Sequence, residues 1–308
     1  MKQVCFGYSP EKRVLQNIDL CIHKGEKVAV VGRNGSGKTT LIKLLLRLYE
    51  PDAGKMKYNG RSTQEIAVDD YRNCFSAMFQ DFSIYEASVA ENVAMSRQPD
   101  KKRVRDALEK VELLQELPDL DQKIGQEFGE KGKLLSGGQL QRISIIRSMF
   151  LNPGFIIADE PVSMLDVSVR AEIINMLIDL ARNHNAAVVF ISHDIALTRY
   201  ISDNIAVMYL GRIVEYGSAD EVIKNPQHPY TRALISNCAS VDPFEEHEEI
   251  SIEGEPPTPI NPGPGCYFAP RCYMATEECF KSYPERKDLG GSHYAVCSKL
   301  YKKTAGPK

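Results

Sequence analysis

Apolar and polar positions divide the chain into a repeating strand–helix pattern. Val28-Ala29-Val30-Val31 is a short β-branched run that stops at Gly32, and helical spacing follows from Lys38 to Tyr49. Residues 100–117 place Val104, Leu108, Val111 and Leu114–Leu117 on one helical face. A strand at Phe155–Ala158, a helix around Val169–Arg182, a strand at Ala187–Ile191 and a helix running into Tyr200 repeat the alternation. Such alternation predicts an α/β fold, a mostly parallel sheet with helices on both faces. Ile205–Tyr209 and Arg212–Tyr216, joined through Gly211, predict a hairpin. No internal repeat is present.

The pattern ends near residue 240. Glu245-Glu246-His247-Glu248-Glu249 is an acidic run, and five of the 17 prolines fall between Glu255 and Gly265. This composition predicts a solvated linker. The expected division is therefore 1–238, a linker over 239–264, and a small module over 265–308.

Composition narrows the function. The chain has 308 residues, 43% hydrophobic and 26% charged, which is ordinary for a folded protein. A net charge of −3 offers no basic surplus for nucleic acid. No apolar run approaches the roughly 18–20 residues of a membrane span, and the N-terminus lacks a signal-peptide core. A cytosolic chain is expected. Four of its eight cysteines, Cys266, Cys272, Cys279 and Cys297, crowd into the last stretch. In a reducing compartment such a cluster points to metal ligation rather than disulfides.

The sharpest chemical signal is Gly32-Arg33-Asn34-Gly35-Ser36-Gly37-Lys38-Thr39, a G-x-x-x-x-G-K-[ST] pattern set between a strand and a helix. Glycines let backbone N–H groups turn inward around a polyphosphate, and the helix N-terminus adds partial positive charge. Lys38 would reach the β- and γ-phosphates, and the Thr39 hydroxyl would ligate Mg²⁺. Phe155–Glu160 is an apolar strand ending in two carboxylates. Asp159 is placed to hold Mg²⁺ through water, and Glu160 to polarise an attacking water.

Between these motifs lies Leu135-Ser136-Gly137-Gly138-Gln139, followed by Gln141-Arg142. It resembles the signature of ATP-binding-cassette (ABC) ATPases. Ser136 and two glycines at a helix N-terminus suit an anion. The resemblance implies a P-loop nucleotide-binding domain with an antiparallel β subdomain and a helical subdomain at about 82–150. It also implies that the signature faces ATP held by a second subunit, so that two ATPs lie in a head-to-tail dimer. The ATP-binding set then runs from Gly32 through Thr40. Tyr8, in Phe6-Gly7-Tyr8, looks like the aromatic that stacks on adenine. Gln80 looks like the glutamine linking Mg²⁺ and water to the membrane partner. His193, in Ile191-Ser192-His193-Asp194, resembles the γ-phosphate histidine, and Asp166 the loop that communicates across the dimer. The family usually has Ala where this chain has Met164.

Two branches of the family are visible. Lys27 to Asn92 resembles the exporter type, as does Gly125 to Gly132, while from Asn152 onward the chain resembles oligopeptide/dipeptide importer ATPases, through ADEPVSMLDVSVRAEI and NPQHPYTRAL. Only Lys2 to Phe6 precede the Phe-x-Tyr element, so a clipped first edge strand is expected. The spacing Cys266-x5-Cys272-x6-Cys279-x17-Cys297 suits either a [4Fe–4S] cluster or tetrahedral zinc. Resemblance to the importer tail favours the cluster, with zinc and unligated thiols as the alternatives. The implied protein is an ATPase peripheral to the cytoplasmic face of the membrane. It would pair with itself or a paralogue, serve two transmembrane permease subunits and, through them, an extracellular solute-binding protein, and energise peptide import. The alternatives are an exporter-type fragment or a soluble, non-transport ABC ATPase.

Overall fold

The structure is a computed structural model. It describes residues 1–79, 84–125, 133–151, 153–162, 167–237, 250–252, 254 and 262–300. Most of the linker expected at 239–264 lies outside these residues, as do Cys238, Met164 and nearly all of the Gly125–Gly132 loop.

Along the chain, β1 (Lys2–Ser9), β2 (Lys12–Ile18) and β3 (Lys27–Val31) precede α1 (Lys38–Leu45). Next come β4 (Ala53–Lys55), β5 (Lys57–Tyr58), β6 (Arg61–Ser62), α2 (Val68–Arg72) and β7 (Phe75–Met78). The middle holds β8 (Ala87–Ser88), α3 (Val89–Ala94), α4 (Lys101–Lys110), β9 (Lys123–Ile124) and α5 (Gly137–Leu151). After it come β10 (Phe155–Asp159), α6 (Val167–His184), β11 (Ala187–Ser192), α7 (Ile195–Ile201), β12 (Asn204–Tyr209) and β13 (Arg212–Ser218). The last elements are α8 (Ala219–Lys224), α9 (Pro229–Ser236), α10 (Glu277–Lys281), β14 (Lys287–Gly290) and β15 (His293–Ala295).

The chain forms two compact units. The first comprises Met1–Ile22, Lys27–Val68 and Phe190–Lys308, and the second His23–Glu26 and Asp69–Val189. In the first, strands run in the order β14-β15-β13-β12-β3. β3 lies parallel to β12, while β12, β13, β15 and β14 pair antiparallel. The architecture is therefore mixed rather than mostly parallel: two-residue turns join β12 to β13 and β14 to β15, and a short turn reverses the chain. The hairpin of β12 and β13 is as expected: Tyr209 pairs with Arg212, and the two loop residues Leu210 and Gly211 both take positive φ, 42° and 77°. A Cβ on Gly211 would sit 1.8 Å from the Val14 carbonyl oxygen, so only glycine fits.

A second sheet in this unit has the order β2-β1-β4. The first strand is thus not at an edge. β1 spans eight residues and is central, paired on one side with β2 and on the other with β4.

In the second unit β10 lies parallel to β7. Its helices close around Val89, Val93, Val104, Leu108, Leu113, Leu117, Ile143 and Ile146. α3 starts with a capping box in which the Ser88 hydroxyl and the Glu91 carboxylate each take the other's backbone N–H. The Asp100 carboxylate caps α4 by accepting from the Lys102 and Arg103 amides. α4 ends at Lys110, short of the expected Leu117, but Val111, Leu113 and Leu117 enter the same core from irregular backbone.

Candidate active site

β3 is buried on both faces after Lys27, and its end delivers the chain to the glycine loop. A Cβ on Gly32 would lie 2.3 Å from the Met208 carbonyl oxygen of β12, so the loop leaves the sheet hard against its neighbour. Gly35 and Gly37 take φ of 80° and 103°, a region side chains avoid, and this wraps the backbone into a concave turn. The Ser36 amide closes that turn on the Arg33 carbonyl at 3.1 Å.

Lys38 opens α1 and is almost fully buried. Its ammonium donates to the Gly32 carbonyl at 2.5 Å and the Arg33 carbonyl at 3.2 Å, which holds the charge at the loop. No side chain caps the start of α1, so its first amides are left for another acceptor. The buried Ser36 hydroxyl likewise has no hydrogen-bond partner among the described residues. A buried ammonium, an uncapped helix start and an orphaned hydroxyl around one glycine turn fit a polyphosphate.

Thr39 is exposed and Thr40 buried. Tyr8, on β1, shares a 3.2 Å hydrogen bond between its hydroxyl and that of Thr40. Its ring remains 45% exposed and stands edge-on to Phe6 and Tyr49, with centroids 5.1 and 5.3 Å away. The aromatic expected to meet adenine is therefore anchored to the same helix as Lys38. His193 belongs to the same unit; it is exposed at the end of β11, next to Asp194, whose carboxylate caps α7.

The second unit carries the carboxylates and the signature. β10 is buried from Phe155 to Ala158 and emerges at Asp159. Glu160 follows with φ of 46°, a left-handed conformation that is unfavourable for a residue with a Cβ. Ser136 and Gln139 form a reciprocal cap at the start of α5: the Ser136 amide donates to Oε1 of Gln139 at 2.7 Å, and the Gln139 amide to the Ser136 hydroxyl at 3.3 Å. Gln139 also donates to the Glu116 carboxylate, and Leu135 packs into the helical core. Gly137 has open space where a Cβ would stand. Gln80 and Asp166 lie outside the described residues.

The described cysteines are free thiols. Cys266, Cys272, Cys279 and Cys297 all line one cavity, together with His228 and Phe268. The Cys266 amide donates to the Cys279 carbonyl at 2.7 Å, which ties two of the four together. Burial raises the thiols of Cys266 and Cys297 and takes Cys272 up to about 11. Burial also pushes Cys279 up, but hydrogen bonds from Thr276 and Ser298 and the charge of Lys299 outweigh it and lower the thiol overall. Among the described residues no three His, Cys, Asp or Glu are grouped to hold a metal ion.

One arrangement was invisible in the sequence. Glu215, on β13, is fully buried and accepts from the Gln227 amide at 2.8 Å, the His228 amide at 2.9 Å and Nε2 of His293 at 2.9 Å. It pins the start of α9, where the Tyr230 hydroxyl accepts the Arg33 amide at 3.0 Å. A carboxylate directly after Ile213 and Val214 in a strand was the available signal.

Residues 15–163 match the ABC transporter family, and residues 214–279 match the oligopeptide/dipeptide transporter C-terminal region. The chain is 37% identical over 311 residues to the dipeptide transport ATP-binding protein DppF of Haemophilus influenzae, covering 96% of this chain and 92% of that one. To the DppF of Escherichia coli it is 35% identical, covering 92% and 87%. These matches run through both halves, the exporter-like one included. Among solved structures, cbiO1 of Clostridium perfringens, part of the ABC transporter complex cbiONQ, superposes with a TM-score of 0.64 at 26% identity, over 73% of this chain and 89% of that one. The glycine loop, the signature at the start of α5 and these full-length relatives converge: the chain belongs to the ATP-binding proteins of ABC transporters, in the branch that carries the oligopeptide/dipeptide C-terminal region.

Proposed function

We propose that this chain hydrolyses ATP to energise a peptide importer. The observation that carries the reading is the pairing of a loop built for polyphosphate with relatives, matched nearly end to end, named dipeptide transport ATP-binding proteins. Gly32 to Thr40 cradle the phosphates and Tyr8 stacks on adenine. Thr39 and Asp159, with Gln80, would hold Mg²⁺, which neutralises charge on the β- and γ-phosphates. Glu160 takes the proton of the attacking water, and His193 contacts the γ-phosphate. Leu135 to Gln139 meet the nucleotide of a second ATPase subunit, this chain or a paralogue, and Asp166 relays between the two. ATP binding closes the pair and hydrolysis reopens it, which moves two permease subunits at the cytoplasmic face of the membrane and passes solute on from an extracellular binding protein.

Glu160→Gln tests the chemistry. It should retain Mg-ATP, accumulate as an ATP-bound dimer on size exclusion, and lose nearly all hydrolysis. Turnover at the parental rate overturns the assignment of the base. Labelled dipeptide uptake by vesicles holding the permeases and this chain tests the cargo, and uptake without ATP dependence refutes it.

The four tail thiols we assign to a [4Fe–4S] cluster rather than zinc. A zinc ion needs its sulfurs about 2.3 Å from one point, whereas a cluster spreads one thiolate over each iron. Four thiols line one cavity, and what favours the cluster over zinc is the resemblance of this tail to that of the peptide-importer ATPases. Bound there, the group would supply cross-links to a module with little core of its own. Anaerobic purification should yield a brown protein with iron and sulfide in equal amounts. A colourless protein with one zinc per chain would overturn this assignment.

A further inference from the structure

We propose that Tyr230, in the C-terminal region, is a positioning residue for the phosphate loop and acts through Lys38; this rests on the reading of that loop as the ATP site. The geometry converges on one peptide group. Its N–H belongs to Arg33 and donates to the Tyr230 hydroxyl at 3.0 Å. Its C=O belongs to Gly32 and accepts from the Lys38 ammonium at 2.5 Å. A peptide group is planar, so fixing the direction of the N–H fixes the opposite direction of the C=O. Hydrogen bonds on both ends also polarise each other. Tyr230 thus aims the carbonyl on which the phosphate-binding ammonium rests.

The tyrosine is built to hold still. It is fully buried, and its ring packs against Tyr209 and Phe268 with centroids 4.7 and 5.4 Å away. Its own amide donates to Nδ1 of His228, the residue that caps α9, and Pro229 fixes the backbone between them. The two His228 and Gln227 amides are tied to Glu215. The hydroxyl therefore reaches the loop from a support fixed at three points. Tyr209 stands at the end of β12, one residue after Met208, whose carbonyl is pressed against Gly32. Loop and support thus share a wall.

The consequence is chemical selectivity in the effect of losing the hydroxyl. Lys38 serves the β- and γ-phosphates, so ATP and ADP should feel a misaimed peptide and AMP should not. In the full chain, Tyr230→Phe should raise the Kd of Mg-ATP and Mg-ADP about tenfold, the loss of roughly one buried hydrogen bond, and change that of AMP less than about twofold. Arg33→Pro removes the N–H while leaving the tyrosine in place. In that background Tyr230→Phe should change the ATP affinity less than about twofold, because no donor is left to orphan. Equal losses in both backgrounds, equal losses for all three nucleotides, or no loss for ATP would each overturn the proposal. A parental chain that fails to bind Mg-ATP would instead overturn the reading of the loop itself.

Discussion

Replacing Glu215 should loosen one end of the first unit by an amount that the hydrogen bonds define. Its Oε1 accepts from the Gln227 amide and from Nε2 of His293, and its Oε2 from the His228 amide, all at 2.8–2.9 Å and with the side chain fully buried. Glu215→Ala leaves three buried donors without an acceptor. At about 1–3 kcal/mol each, reduced where water enters the space left behind, the loss comes to about 4 kcal/mol. Glu215→Gln is a graded test. With its oxygen in the Oε1 position it still serves two donors, and its NH₂ meets only the His228 amide, a single donor–donor conflict worth about 1–3 kcal/mol. Hydrogen–deuterium exchange of peptides covering α9 reads this directly. Local opening should accelerate about 10³-fold in the alanine variant and about 10-fold in the glutamine variant. Peptides from β7 and β10, in the other unit, serve as the internal reference and should not change. Exchange of α9 within about threefold of the parent for the alanine variant would show that these bonds do not hold the helix.

Three further outcomes follow from named contacts. Burial lowers the His228 imidazole from 6.5 to about 4, against the pull of Glu215, so the folded state keeps it neutral; below about pH 6.5 the unfolded state binds the extra proton, and stability should fall toward pH 4 by about 3 kcal/mol in all. Denaturation between about pH 7 and pH 5 should lose that slope in His228→Asn, and an identical slope refutes the assignment. Gly37→Ala forces a Cβ onto φ of 103° and to 2.9 Å from Leu15 Cδ2, and calorimetry should show Mg-ATP affinity falling at least about tenfold. Arg147 donates to the backbone oxygen of Asn92 at 2.7 Å and to its Oδ1 at 2.8 Å; Arg147→Met should cost about 2–4 kcal/mol, read as faster exchange in α3 with α9 unaffected.

What the sequence disclosed and what it hid divide along physical lines. The β3–loop–α1 unit was legible because every part of it is local: β-branched residues, then glycines at the turns, then a helix within twelve residues. The hairpin at Gly211 was legible for the same reason. Element ends were not. α1 stops at Leu45, not at Tyr49, because Arg47 turns to φ of 50° and donates from Nη1 to the Ile66 carbonyl at 2.8 Å. The pattern Leu44–Leu48 cannot announce a partner nineteen residues downstream of Arg47. α4 misleads in the other direction: Leu113 and Leu117 are buried as a helical face would be, yet they reach the core without helical backbone. The central place of β1 was hidden because pairing with β4 depends on a strand fifty residues away.

The role of the C-terminal region at the nucleotide site was the least legible feature, and its cause is instructive. Asn225 to Leu234 reads NPQHPYTRAL, a stretch with no period and one aromatic. Nothing in it declares that its tyrosine hydroxyl accepts a hydrogen bond from an amide 197 positions earlier. The link arises because β13 turns a carboxylate inward, that carboxylate gathers two amides and an imidazole, and the helix start so fixed can point only one way. Phe268, a wall of the cysteine cavity, packs on the same tyrosine and on His228. The wall of the thiol cavity therefore lies within two side chains, Phe268 and Tyr230, of the glycine loop. Phe268 and Tyr230 thus stand between the wall of the thiol cavity and the Gly32–Arg33 peptide.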